Sequence, residues 1–94
     1  MFTVITEAEA EREWHQAVAY YEERQPGVGL RLNDRIRAVL QTLAREPERF
    51  PLATRLTRKT KILGRWPYSL YFTVNAEQQE VTVLAICAST RGTN

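Results

Sequence analysis

From Tyr68 to Asn75 the chain reads Tyr-Ser-Leu-Tyr-Phe-Thr-Val-Asn, with Tyr68, Leu70, Phe72 and Val74 alternating against Ser69, Tyr71, Thr73 and Asn75. A period of two makes this a β-strand with one apolar row and one mixed polar and aromatic row. Pro67 has no N–H to give a ladder, so it marks the strand's start, and Gly64 supplies the bend that leads into it. A strand with a single apolar face needs neighbouring strands and a second layer to cover that face.

The upstream sequence supplies that layer. Thr6-Glu7-Ala8-Glu9 has the form of a capping box, which predicts a helix starting there and running to about Arg24. Ala10, Trp14, Ala17, Val18 and Tyr21 make its apolar stripe, and its early glutamates read as a solvated face matched to the helix dipole. Gln25-Pro26-Gly27 is a turn, and a second helix is predicted from Val28 to Arg45, with Leu32, Ile36, Val39, Leu40 and Leu43 as its stripe and Pro47 as its stop. The short connection makes an antiparallel helical hairpin. Phe50 is expected to tuck back under it.

Phe2 to Ile5 is a short β-prone run, and Leu56 to Leu63 reads as a strand that is basic at Arg58, Lys59 and Lys61. Residues 75–79 make a turn into Val81–Cys87, an almost continuous apolar run that predicts a strand buried on both faces. The expected architecture is one α+β domain spanning residues 1–94, in the order β-α-α-β-β-β, with the hairpin laid on a small antiparallel sheet. Trp14, Val18, Tyr21, Ile36, Val39, Leu40 and Leu43 should meet Leu70, Phe72, Val83 and Ala85. Trp14 is assigned to the core, whereas Trp66 suits a core or an interface equally.

The chain has one cysteine, Cys87, and one histidine, His15, so neither an internal disulfide nor a Cys/His metal site is expected, and no cofactor is either. His15 is given no role. No apolar run approaches the roughly 18 residues of a membrane span, and a reducing cytoplasm fits best. A net charge of +2 hides a strong asymmetry. No acidic residue occurs between Arg49 and Ala76, a stretch that carries Arg55, Arg58, Lys59, Lys61 and Arg65. A basic patch of this kind suits nucleic acid, an acidic protein or solvent.

Several segments in a fixed order resemble the ParE branch of the RelE/ParE toxins of bacterial type II toxin–antitoxin systems. They are Ala17 to Glu23, Pro26-Gly27-Val28-Gly29, Glu46-Pro47 to Pro51, Trp66 to Tyr71, and Val83-Leu84-Ala85-Ile86 followed by Arg91. The resemblance covers almost the whole chain and implies the fold already read from periodicity. It also implies a toxin held inactive by a small ParD-like antitoxin. RelE-like members of the superfamily cleave mRNA in the ribosomal A site, using an arginine beside a tyrosine in the central strand and a further tyrosine near the C-terminus. Here Ser69 follows Tyr68, and only Gly92, Thr93 and Asn94 follow Arg91. Cys87-Ala88-Ser89-Thr90 stands where ParE-like members often carry a histidine, a departure that does not touch the fold.

The first expectation is therefore a non-enzymatic inhibitor of DNA gyrase, and the second a ribosome-dependent endoribonuclease using Lys59, Lys61, Arg65 and Arg91. In the first, Arg65, Trp66, Tyr71 and Arg91 are the expected target-binding residues. Arg55, Arg58, Lys59 and Lys61 are the expected antitoxin-binding residues.

Overall fold

The computed structural model describes residues 1–62, 64 and 66–88. The elements are β1 (Thr3–Thr6), α1 (Ala8–Arg24), α2 (Val28–Arg45), a single 3-10 turn (Pro47–Arg49), β2 (Arg58–Lys61), β3 (Tyr68–Asn75) and β4 (Glu80–Ala88). The strands form one sheet in the order β1-β4-β3-β2. β2, β3 and β4 are antiparallel neighbours as expected, and β1 is added in parallel along β4. The two helices cover one face of this sheet.

The expected capping box does not form. Thr6 is taken into the sheet, where it pairs with Val83, and α1 starts two residues later with Glu7 as an N-cap that makes no side-chain cap bond. The Glu7 N–H donates instead to the Val83 carbonyl at 3.0 Å. Strand pairing thus satisfies the backbone that the threonine hydroxyl was expected to serve.

The turn between the helices is built by glycine and by one carboxylate. Gly27 sits at φ 93°, where side chains with a Cβ are strained. Glu22 of α1 accepts from the Gly27 N–H at 2.8 Å and from the Leu30 N–H at 3.2 Å, so α1 caps the first turn of α2 from outside that helix. At Gly29 the helices come so close that a Cβ would lie 2.3 Å from the Val18 carbonyl oxygen.

The core contains Ala10 and Ala17 of α1, Leu32, Ile36, Val39 and Leu43 of α2, and Ile62, Leu70, Phe72, Val81, Val83 and Ile86 from the sheet side. Trp14, Val18 and Tyr21 pack against it half-buried, and Leu40, expected inside, lies at its margin. The Trp14 indole N–H donates to the Asn33 side-chain oxygen at 2.7 Å, which ties its polar edge to α2. Phe50 does turn inward, meeting Phe72 edge to face at 5.9 Å.

Ala85 is a correction. The β3–β4 register shifts between Tyr71 and Phe72, with Tyr71 opposite Ala85 and Phe72 opposite Val83, which leaves Leu84 unpaired. This β-bulge moves Ala85 to the outer face and brings Ile86 in opposite Leu70. The apolar run of β4 is correspondingly buried at Val81, Val83 and Ile86 but only half-buried at Thr82, Leu84, Ala85 and Cys87. The helical layer lies on one side, so the second face is not fully enclosed as expected.

β2 is shorter than predicted. Thr54 to Thr57 form a turn in which the Thr54 hydroxyl accepts the Leu56 and Thr57 N–H groups, and this holds Leu56 out of the ladder at 75% exposure. Leu63, the expected end of that strand, lies outside the described residues.

Candidate functional site

The basic residues of β2 divide by the alternation of the strand. Arg58 stands opposite Phe72 and its guanidinium turns back into the chain, donating to the carbonyls of Phe50 at 2.6 Å and Glu48 at 3.2 Å. Lys59 and Lys61 stand opposite Tyr71 and Ser69 on the outer face, both exposed, with the Lys59 ammonium 5.8 Å from the Tyr71 ring centre. Arg55 is exposed in the preceding turn. Of the four expected antitoxin contacts, three are thus presented to solvent, and Arg58 organises the loop beside them.

That loop borders a groove of about 520 Å³ lined by Phe50, Pro51, Leu52, Ala53 and the β2 residues Lys59, Thr60 and Lys61. Leu52 forms a bridge with Arg58, and the Lys59 N–H donates to the Pro51 carbonyl at 3.2 Å, so the groove has a fixed wall. Leu52 is 57% exposed at its rim. Sequence reasoning missed this apolar lining, although Pro51-Leu52-Ala53 beside a basic strand was there to be read.

The expected target-binding residues do not gather in one place. Arg65 and Arg91 lie outside the described residues. Trp66 sits half-buried on the helical side, edge to face with Tyr21 at 5.2 Å, whereas Tyr71 projects from the opposite face of the sheet beside Lys59. Trp66 belongs instead to an aromatic cluster that the sequence reading did not single out. Tyr21 also meets Tyr20 at 5.1 Å and Tyr68 at 6.3 Å, and the Arg24 guanidinium lies 3.5 Å above the Tyr20 ring. Burial, and then the neighbouring hydroxyls of Tyr21 and Tyr20, push the Tyr68 phenol above the ordinary tyrosine value. A pocket of about 250 Å³ opens between Trp66, Tyr21, Arg24, Gln25 and Val28.

Chemically, β2 offers positive charge. In-line transfer by a ribose hydroxyl also needs a proton acceptor and a proton donor at the scissile phosphate. His15 lines a groove with Glu11, Trp14, Asn33, Arg37, Leu40 and Gln41, all on the helices. Burial, and then the Glu13 carboxylate, raise the Cys87 thiol pKa, with Lys59 pulling the other way, so this thiol stays protonated near neutrality and is a weak nucleophile. Ser69, at the central position beside Tyr68, is buried between Lys61 and Cys87. Among the described residues, no three His, Cys, Asp or Glu side chains gather to hold a metal, and no helix is long and apolar enough to cross a membrane.

Solved structures share this arrangement of hairpin and sheet. The chromosomal ParDE toxin–antitoxin system from P. aeruginosa contains a chain that superposes with a TM-score of 0.80 at 19% identity, covering 96% of this chain and 98% of that one. The isolated E. coli RelE toxin superposes with a TM-score of 0.69 at 20% identity, covering 98% and 88%. The archaeal RelE–RelB complex from Pyrococcus horikoshii gives 0.64 at 16% identity, covering 97% and 98%. At these identities the likeness is one of fold, the RelE/ParE fold of toxins. Sequence narrows the class: residues 4–91 match the family described as the ParE toxin of the type II toxin–antitoxin system parDE, and the chain belongs to that family. No protein of curated function matches it.

Proposed function

We propose that this toxin acts by binding rather than by catalysis, that its target is DNA gyrase, and that a co-encoded ParD-like antitoxin neutralises it in the cytoplasm without any cofactor. The observation that carries the non-enzymatic part is the centre of the sheet. Ser69, only 3% exposed, occupies the position where the nuclease branch, by resemblance, has an arginine. Among the described residues, Lys59 and Lys61 beside it form no ion pair with a carboxylate. Membership in the ParE family supports the choice of gyrase, and the solved ParDE and RelE–RelB assemblies support an antitoxin partner.

In this reading Arg65, Trp66, Tyr71 and Arg91 remain the target contacts. Trp66 on the helical side and Tyr71 on the outer face would have the target grip the domain from both sides of the sheet. Arg55, Lys59 and Lys61 attract the antitoxin, and Arg58 shapes the groove they flank.

A second reading, a ribosome-dependent endoribonuclease, is favoured by the Lys59–Tyr71 pair, because a cation beside a half-buried ring on the outer face is suited to phosphate contact and base stacking. Primer extension on mRNA in programmed ribosomes separates the two. The binding reading expects intact transcripts with the unmodified protein. Cleavage in the A site would replace it with the nuclease reading and make Lys59, Lys61, Arg65 and Arg91 the groups to mutate.

A further inference from the structure

We propose that Glu13 is a positioning residue of the toxin: its carboxylate anchors the last residues of β4 to α1 and thereby fixes the point from which the chain continues to Arg91. The inference rests on the reading above in which Arg91 contacts the target.

The need for an anchor follows from the strand lengths. β1 pairs with β4 only over Glu80 to Val83, and its line ends where the Glu7 N–H donates to the Val83 carbonyl at 3.0 Å. β3 accompanies β4 as far as Ala88. Among the described residues, β4 therefore has strands on both sides up to Val83 and on one side only over residues 84–88. Backbone N–H groups of that stretch that point away from β3 need another acceptor.

α1 supplies one, because it leaves directly from the end of β1. Ala10, Glu13 and Ala17 share a face at helical spacing, and the two alanines are buried, so small side chains let the helix come close to β4. Glu13 is half-buried between them, and its Oε1 accepts the Ile86 N–H at 2.8 Å across a separation of 73 residues. A carboxylate that accepts from a backbone N–H makes a charge-assisted bond, stronger than a neutral one. Packing alone does not hold this end of the strand. A groove of about 320 Å³ opens among Glu13, Tyr20, Tyr68 and Cys87. Ile86 is the last buried residue of β4, with Cys87 half-buried and Ala88 exposed after it. Side chain and backbone of β4 are thus last held together at Ile86, with Arg91 further along the chain.

The test combines gyrase supercoiling, antitoxin binding and amide hydrogen exchange on the full chain. Glu13→Ala removes the acceptor, so the Ile86 amide should exchange faster while the amides of Glu80 to Val83 stay as they were. The toxin concentration for half-inhibition should rise about tenfold, the size expected for losing one hydrogen bond to a charged group. Glu13→Gln, whose amide oxygen still accepts, should recover most of both. Glu13→Asp, which keeps the charge but draws the acceptor back by one methylene, makes the same comparison if Glu13→Ala does not fold. Glu9→Ala makes the same charge change on the exposed face, where Glu9 pairs with Arg12, and should do neither. Antitoxin affinity should hold throughout. In an Arg91→Ala background Glu13→Ala should cost little more, because two changes that act through one contact are not additive. Equal losses in both backgrounds, or a parallel fall in antitoxin affinity, would mean general damage and overturn the proposal. Unchanged Ile86 exchange in Glu13→Ala, or fast exchange with full inhibition, would overturn it as well. Each of these leaves the gyrase reading standing, whereas no inhibition by the unmodified toxin would remove that reading and this role together.

Discussion

Gly29 carries the sharpest steric demand among the helical residues. A Cβ there would lie 2.3 Å from the Val18 carbonyl oxygen and 2.8 Å from the Glu22 Cβ, and the first of these is backbone that cannot swing aside. Gly29→Ala should therefore force α1 and α2 apart, at a cost of about 1–3 kcal/mol or more, read as a lower midpoint in urea. An unchanged midpoint would mean that the helices do not cross at this point. Leu40 and Ile36 make a paired test of the core margin. Ile36 is fully buried, so Ile36→Ala should cost about 2–5 kcal/mol, and Leu40→Ala should cost clearly less because part of that side chain already meets water.

Tyr68 gives the residue scale its pH dependence. Its phenol pKa is raised by burial first and by Tyr21 and Tyr20 next, so the folded value lies above the unfolded one. The folded chain then holds that proton longer, and the contribution is fully present below about pH 10 and is lost as pH rises through the folded value. Denaturation midpoints should fall in that alkaline range, and Tyr68→Phe should flatten the fall. An equally steep alkaline loss in the variant would assign the effect to other groups.

At the scale of elements, periodicity made the helices and β3 readable, and pairing decided what periodicity could not. α2 runs from Val28 to Arg45 as its stripe and its flanking Gly27 and Pro47 require. β4 was harder because Val83, Leu84, Ala85 and Ile86 are all apolar, and nothing in such a run marks the residue that slips. The bulge at Leu84 is set by the partner strand, so Ala85 was placed on the wrong face. The capping box failed for a similar reason, since Thr6 has a sheet partner that local sequence cannot reveal.

The candidate site was legible as charge and not as shape. Lys59 and Lys61 face outward as a basic strand suggests, but only the fold shows that Arg58 turns inward to two carbonyls. Arg58→Ala should consequently release the loop bearing Pro51 and Leu52, with a loss of about 1.5–3 kcal/mol for hydrogen bonds from a charged donor. Faster amide exchange at Lys59, whose N–H bonds Pro51, would report that release directly. Unchanged exchange would leave Arg58 available as an ordinary surface cation.

Across the whole molecule the two sheet faces have different tasks. The helical face builds the core and carries the aromatic cluster around Tyr21 and Trp66, while the outer face and the β2 edge carry the exposed lysines beside an apolar groove. That division leaves the lysines where a partner can reach them. Association with the antitoxin should accordingly slow as salt rises, because Arg55, Lys59 and Lys61 steer an acidic segment toward the groove. Stopped-flow on-rates that do not change between low and high salt would remove the steering.

The central claim, a toxin that works by binding gyrase, is tested most directly by DNA supercoiling with purified gyrase at increasing toxin concentration, with and without the antitoxin. Supercoiling should decline, or cleaved DNA should accumulate with gyrase, as toxin is added, and prior mixing with antitoxin should restore it. Full supercoiling at toxin in large excess over gyrase would contradict the claim.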